Sequence, residues 1–129
     1  MDIETKNKLT IKSRIQSFTY AIKGIICVFK NERNIWLQSI CACIAIAAGF
    51  IFKISNIEWV IIILCIGIVF ACETINTAIE AIVDFISPEY HKKAGLIKDL
   101  AAGAVLITAI MSAVIALIIF VPKIWTLIS

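Results

Sequence analysis

Two kinds of apolar pattern divide this chain. Over residues 9–30 the apolar positions Ile11, Ile15, Phe18, Ile22, Ile26 and Phe29 recur at steps of three and four. That spacing stacks them on one face of a helix. Lys12, Gln16, Lys23 and Lys30 fall mainly elsewhere. A basic amphipathic helix next to a membrane span lies in the interface plane or packs on the bundle, and the pattern does not separate the two. Beyond Asn31-Glu32-Arg33-Asn34 the pattern changes to long apolar runs. Residues 35–52 carry only Gln38 and Ser39 as polar side chains. After a polar turn at 53–58, a second run extends over 59–86. It stops at Ser87-Pro88, because the residue before a proline is pushed out of the α region. A polar connector, 87–99, leads to a third run over 100–121, expected to end at Pro122-Lys123.

A bilayer core about 30 Å thick takes about 20 apolar residues of helix. The three runs therefore predict three spans, preceded by the amphipathic helix, in one domain covering 1–129. Residues 1–8 are polar and expected to fray. The opening of the chain lacks an apolar stretch followed by a small-residue cleavage site, so no signal peptide is expected.

Composition reinforces this. The chain is 61% apolar, against about 45–50% in soluble domains, with a mean hydropathy of +1.00. The net charge of +3, with no basic stripe interleaved with aromatics, excludes a nucleic-acid partner. The five cysteines are Cys27, Cys41, Cys43, Cys65 and Cys72. They form no C-x-x-C pair and are odd in number, so they read as small apolar residues rather than a disulfide or zinc framework. Seven positive charges precede the first span and three, Lys92, Lys93 and Lys98, lie in the 87–99 connector. The other side has Lys53 and Lys123. The positive-inside rule puts the N-terminus and that connector in the cytoplasm.

The chemistry concentrates between Cys72 and Asp84. At about 100° per residue, Glu73, Asn76, Glu80 and Asp84 share roughly 80° of arc on one helix face. Acids inside a span are costly and mark function. Several on one stripe repel unless a cation sits among them, and hard oxygen donors suit Mg²⁺. The bland alternative pairs these acids with Lys98 or Arg33 as structural ion pairs. It weighs most for Asp84, near the helix end. Lys98 could hold phosphate, and Asp99 could serve as a helix cap or a favourable first-turn charge. Glu32 alone would be an ordinary juxtamembrane charge, and His91 a solvated one. No G-x-x-x-x-G-K-[ST] loop is present. The residues by themselves define a membrane protein with an acidic, metal-binding site on its cytoplasmic side. A cation channel or carrier subunit is a competing class. It is disfavoured because nothing polar in 59–72 continues the path across the bilayer.

The sequence Glu73-x-x-Asn76-x-Ala78-Ile79-Glu80-x-x-Val83-Asp84, then Glu89-Tyr90-His91 and Ala94-Gly95-x-x-Lys98-Asp99, resembles the signature of the bacterial integral-membrane diacylglycerol kinases and undecaprenol kinases. Tyr20-Ala21-x-Lys23-Gly24 and Asn31-Glu32 fit the same pattern upstream. The resemblance implies a homotrimer of three-span protomers with an N-terminal surface helix in the bacterial plasma membrane. It implies phosphoryl transfer from ATP to a lipid alcohol, undecaprenol or diacylglycerol, in sites shared between protomers at the cytoplasmic interface. By the same resemblance Glu73 is the general base and Asn76 orients the base or the phosphate. Glu32 and Glu80 are the metal ligands. Tyr20, Glu89, Tyr90, His91, Lys98 and Asp99 fall where the nucleotide is held, and Gly95 permits close approach of the connector. Three positions depart from the Gram-negative pattern: Gln38 replaces a Glu, Ser13 an Arg and Ile22 a Trp. The Ala101–Leu106 run and Phe120-Val-Pro-Lys123 look more like the Gram-positive branch, which favours undecaprenol as acceptor.

Overall fold

A computed structural model describes residues 10–129. The polar segment 1–8 and the first position of the amphipathic helix, Leu9, lie outside the described residues. Four helices follow in order: α1 (Ile11–Asn31), α2 (Arg33–Ile51), α3 (Asn56–Ile86) and α4 (Lys92–Ile128). Among the described residues there is no strand.

α1 begins where the Thr10 side chain accepts from the Ser13 N–H, relieving one of the unpaired donors of the first turn. Most of α1 is exposed, and only its last turn docks on the rest. There Val28 is buried, and the Phe29 ring packs edge-on to Trp36 and stacks on Phe70. The Trp36 indole N–H donates to the Phe29 carbonyl at 2.8 Å. Glu32 breaks the helix with extended backbone, closing α1 and opening α2.

α2 turns into α3 through Lys53, whose φ of 50° is left-handed. α3 starts at Asn56, three residues ahead of the apolar run, because Ser55 and Glu58 form a capping box. The Ser55 hydroxyl accepts from the Glu58 N–H at 3.2 Å, and Glu58 accepts from the Ser55 N–H at 3.0 Å. Gly49 lets Trp59 lie against α2. A Cβ there would stand 2.6 Å from Trp59 Cη2.

α3 stops before Ser87-Pro88 as its sequence predicts. α4 differs from expectation at both ends. It begins at Lys92, inside the predicted connector, where the His91 imidazole Nδ1 accepts from the Lys93 N–H at 3.1 Å. It also runs through Pro122 to Ile128. An interior proline removes one helix hydrogen bond and costs about 3 kcal/mol. Packing on both sides of the proline offsets it. Ile119 joins Ile54 and Ile62 in the core, Phe120 meets Phe52, and Lys123 pairs with Glu58 at 2.7 Å.

α3 and α4 run antiparallel, with Lys123–Glu58 at one end and Lys98–Asp84 at the other. α2, α3 and α4 are each long and apolar enough to cross a membrane. At 1.5 Å per residue, α3 and α4 extend about 46 and 56 Å, beyond a 30 Å hydrocarbon core. Ile44, Ile63, Ile107 and Leu117 are among many large apolar side chains left uncovered. That surface would be untenable in water over such an area. Inside lipid a helix satisfies nearly all of its backbone groups within itself, and the same surface is matched to its solvent.

Candidate active site

The sequence of α3 puts Glu73 and Asn76 on the side that faces α2 and α4. Glu73 is 1% exposed and Asn76 7%. Both line a cavity of about 600 Å³ walled by α2, α3 and α4. One end is polar, formed by Asn34, Gln38, Glu73 and Asn76. The remainder is lined by apolar side chains such as Ile62, Ile66, Val105 and Ile115, with Ser112 among them. Neither carboxylate oxygen of Glu73 accepts a hydrogen bond from the described residues, and neither does the Asn76 side-chain oxygen. Gln38 lies beside Glu73, yet its own side-chain oxygen is also buried without a partner. Burying polar atoms in this way costs free energy that a packed core would avoid.

The carboxylates of Glu32 and Glu80 are near enough to Glu73 to act on it electrostatically. Both are half-buried. Glu32 comes from the α1–α2 break and Glu80 from two turns along α3. Among the described residues no lysine or arginine pairs with Glu32, Glu73 or Glu80, since the ion pairs there are Lys98–Asp84 and Lys123–Glu58. The structural-pairing alternative therefore holds for Asp84 and not for Glu73 or Glu80. No three acidic, histidine or cysteine side chains among the described residues form a ready-made metal cage. Two carboxylates that share a cation with a ligand's oxygens suit Mg²⁺, which keeps waters and binds through one or two carboxylates plus phosphates.

The remaining candidates are more dispersed. Tyr20 is exposed on α1, where its hydroxyl accepts from Gln16 at 3.2 Å and Lys23 lies 5.8 Å from its ring centre. Glu89 and Tyr90 are exposed in the short α3–α4 connector, and His91 caps α4. Gly95 and Lys98 lie half-buried in the first turns of α4, and Asp99 is exposed. A Cβ at Gly95 would meet nothing within 4 Å, so within one protomer no close approach requires this glycine. The five cysteines are free. Asn34 is a polar cavity residue that the sequence marks only as part of a break in the pattern, and Ser112 is one that it passes over. Its only signal is a hydroxyl in the middle of an apolar run.

Fold and site together define a three-span α-helical membrane protein with a carboxylate-lined pocket that opens into an apolar cavity between its helices. The chain belongs to the prokaryotic diacylglycerol kinase family, which it matches over residues 19–120, and is a lipid kinase. It is 44% identical over 108 residues to the undecaprenol kinase of Bacillus subtilis, covering 84% of this chain and 88% of that one. It is 34% identical over 93 residues to the diacylglycerol kinase of Haemophilus influenzae, covering 72% and 79%. It is 31% identical over 100 residues to that of Escherichia coli, covering 78% and 82%.

Proposed function

We propose that this chain transfers the γ-phosphoryl group of ATP to the primary hydroxyl of undecaprenol. The reaction takes place at the cytoplasmic face of the bacterial plasma membrane. The observation that carries the reading is Glu73, a carboxylate 1% exposed that no lysine or arginine among the described residues pairs with, at the polar end of an otherwise apolar cavity. A lipid alcohol has the same polarity profile, one hydroxyl on a long hydrocarbon tail.

Glu73 takes the hydroxyl proton as the alcohol oxygen forms its bond to the γ-phosphorus. The bond between that phosphorus and the β–γ bridging oxygen breaks, ADP leaves, and undecaprenyl phosphate remains. Asn76, one turn along α3, orients Glu73 or the phosphoryl oxygens. Glu32 and Glu80 are the residues that would hold Mg²⁺, which would supply positive charge to offset that of the ATP phosphates. Phosphoryl transfer depends mostly on such positioning and neutralisation. Lys98 leaves its exposed pair with Asp84 to meet phosphate. An exposed pair of this kind contributes little to stability, so the exchange is inexpensive. Tyr20, Glu89, Tyr90, His91 and Asp99 surround the nucleotide, with Gly95 on the connector side. We assign the N-terminus to the cytoplasm, supported by the lysine and arginine asymmetry, and the assembly as the homotrimer that the family resemblance implies.

The 44% identity to an undecaprenol kinase, against 31–34% to the two diacylglycerol kinases, supports undecaprenol over diacylglycerol. The test is a transfer assay in lipid bicelles with purified protein, labelled ATP and Mg²⁺, both lipids offered side by side. Preferential labelling of undecaprenol is expected. Preferential labelling of diacylglycerol would keep the mechanism and overturn the acceptor. Labelling of neither, with the trimer intact, would overturn the kinase assignment of the site.

A further inference from the structure

The break between α1 and α2 is a single residue wide. Glu32 leaves helical backbone, at φ −107° and ψ 122°, and closes one helix while opening the next. Its carboxylate makes no capping hydrogen bond to the first turn of α2. The side chain is thus free to act elsewhere, and its direction is set by the backbone around it.

A helix leaves its last four carbonyls without partners inside the helix. At the end of α1 the Val28 carbonyl accepts from the Glu32 N–H at 2.9 Å. The Phe29 carbonyl is tied across the break, accepting from the Trp36 indole N–H at 2.8 Å, one turn into α2. The rings extend this tie to α3. Phe29 meets Trp36 edge-on with 5.6 Å between ring centres and stacks on Phe70 at 6.2 Å. Phe70 lies one turn before Glu73 on α3. One series of contacts, Trp36–Phe29–Phe70, therefore runs from the turn that carries Glu32 to the turn that carries Glu73. The earlier turns of α1 are exposed, so without this tie any swing of α1 would reach Glu32 directly.

We infer that Trp36 is a positioning residue for Glu32, a role that rests on Glu32 holding the metal. The indole N–H fixes the α1–α2 break and so keeps the Glu32 carboxylate close to Glu73, where the cation and the nucleotide phosphates meet. Phe29 and Phe70 carry the same constraint to α3.

The test is the calorimetric affinity of the purified protein for a non-hydrolysable ATP analogue, with Mg²⁺ and with a chelator in its place. Trp36→Phe keeps an aromatic ring against Phe29 and loses the N–H. Trp36→Gln loses the ring and keeps an N–H the same number of bonds from Cα. Affinity with Mg²⁺ should fall about tenfold in Trp36→Phe, the weight of one neutral hydrogen bond, and Trp36→Gln should recover most of it. Affinity in chelator should be the same in all three proteins. In a Glu32→Gln background Trp36→Phe should add nothing, because the carboxylate it positions is gone. An equal loss with and without Mg²⁺ would make the indole structural and overturn the inference. A Trp36→Phe protein that matches wild type, while Glu32→Gln binds Mg²⁺–nucleotide more weakly, overturns the role of Trp36 and spares that of Glu32. A Glu32→Gln protein with wild-type Mg²⁺ dependence overturns both.

Discussion

Glu73 and Asn76 stand one turn apart on α3, and both present to the same cavity buried side-chain oxygens that accept no hydrogen bond from the described residues. A pair arranged only for stability would be hydrogen-bonded, since unpaired buried oxygens are a net cost. Asn76→Leu should therefore leave the thermal midpoint unchanged or raised while kcat falls by more than tenfold. Thermal unfolding in detergent, read beside initial rates, checks it. A lowered midpoint with near-normal kcat would make Asn76 structural.

Glu32 and Glu80 approach Glu73 without a lysine or arginine partner among the described residues. Chelation of divalent cations should abolish turnover and added Mg²⁺ should restore it. Glu80→Gln should raise the Mg²⁺ concentration needed for half-maximal rate. A Mg²⁺ titration of both proteins decides the point, and superimposable curves would remove Glu80 from the metal site.

Gly49 is where α2 admits the Trp59 ring. A methyl group there would stand 2.6 and 2.8 Å from ring carbons and 3.1 Å from Ile54, and Phe50 packs on the same ring. Gly49→Ala should destabilise by about 1–3 kcal/mol, the usual cost of overpacking. Trp59→Phe in the same chain should recover part of that. Denaturant-induced unfolding of the two variants and their combination is the measurement.

Lys123 and Glu58 join the far ends of α3 and α4 at 2.7 Å, each partly screened from solvent. Lys123→Met and Glu58→Gln should each lower the thermal midpoint, and the double variant should lower it by less than the two shifts combined. The site lies at the opposite end of these helices, so kcat should be little affected. Additive shifts would mean the pair is not coupled.

The spans and the acidic stripe were legible because each depends on local pattern. The apolar runs are long, and Glu73, Asn76 and Glu80 need only helical periodicity to share a face. The stop at Ser87-Pro88 was equally local. What depended on tertiary contact was not legible. Pro122 would end an isolated helix, but Ile119, Phe120 and Lys123 hold α4 together across it. The early start of α3 did have a local signal, since Ser55-x-x-Glu58 is the capping-box spacing. The pairing of Asp84 with Lys98 was one of two open alternatives until the antiparallel α3–α4 register brought them together. Ser112 is invisible in a 22-residue apolar run until α2 and α3 wall the cavity around it.

The most direct test of the account is the turnover of Glu73→Gln, an uncharged near-isostere, with undecaprenol as acceptor and nucleotide binding measured in parallel. The account predicts that kcat falls by about 100-fold or more, the contribution of a positioned base, while the trimer and its affinity for Mg²⁺–ATP are retained. A Glu73→Gln protein with kcat close to wild type would contradict the assignment of the base.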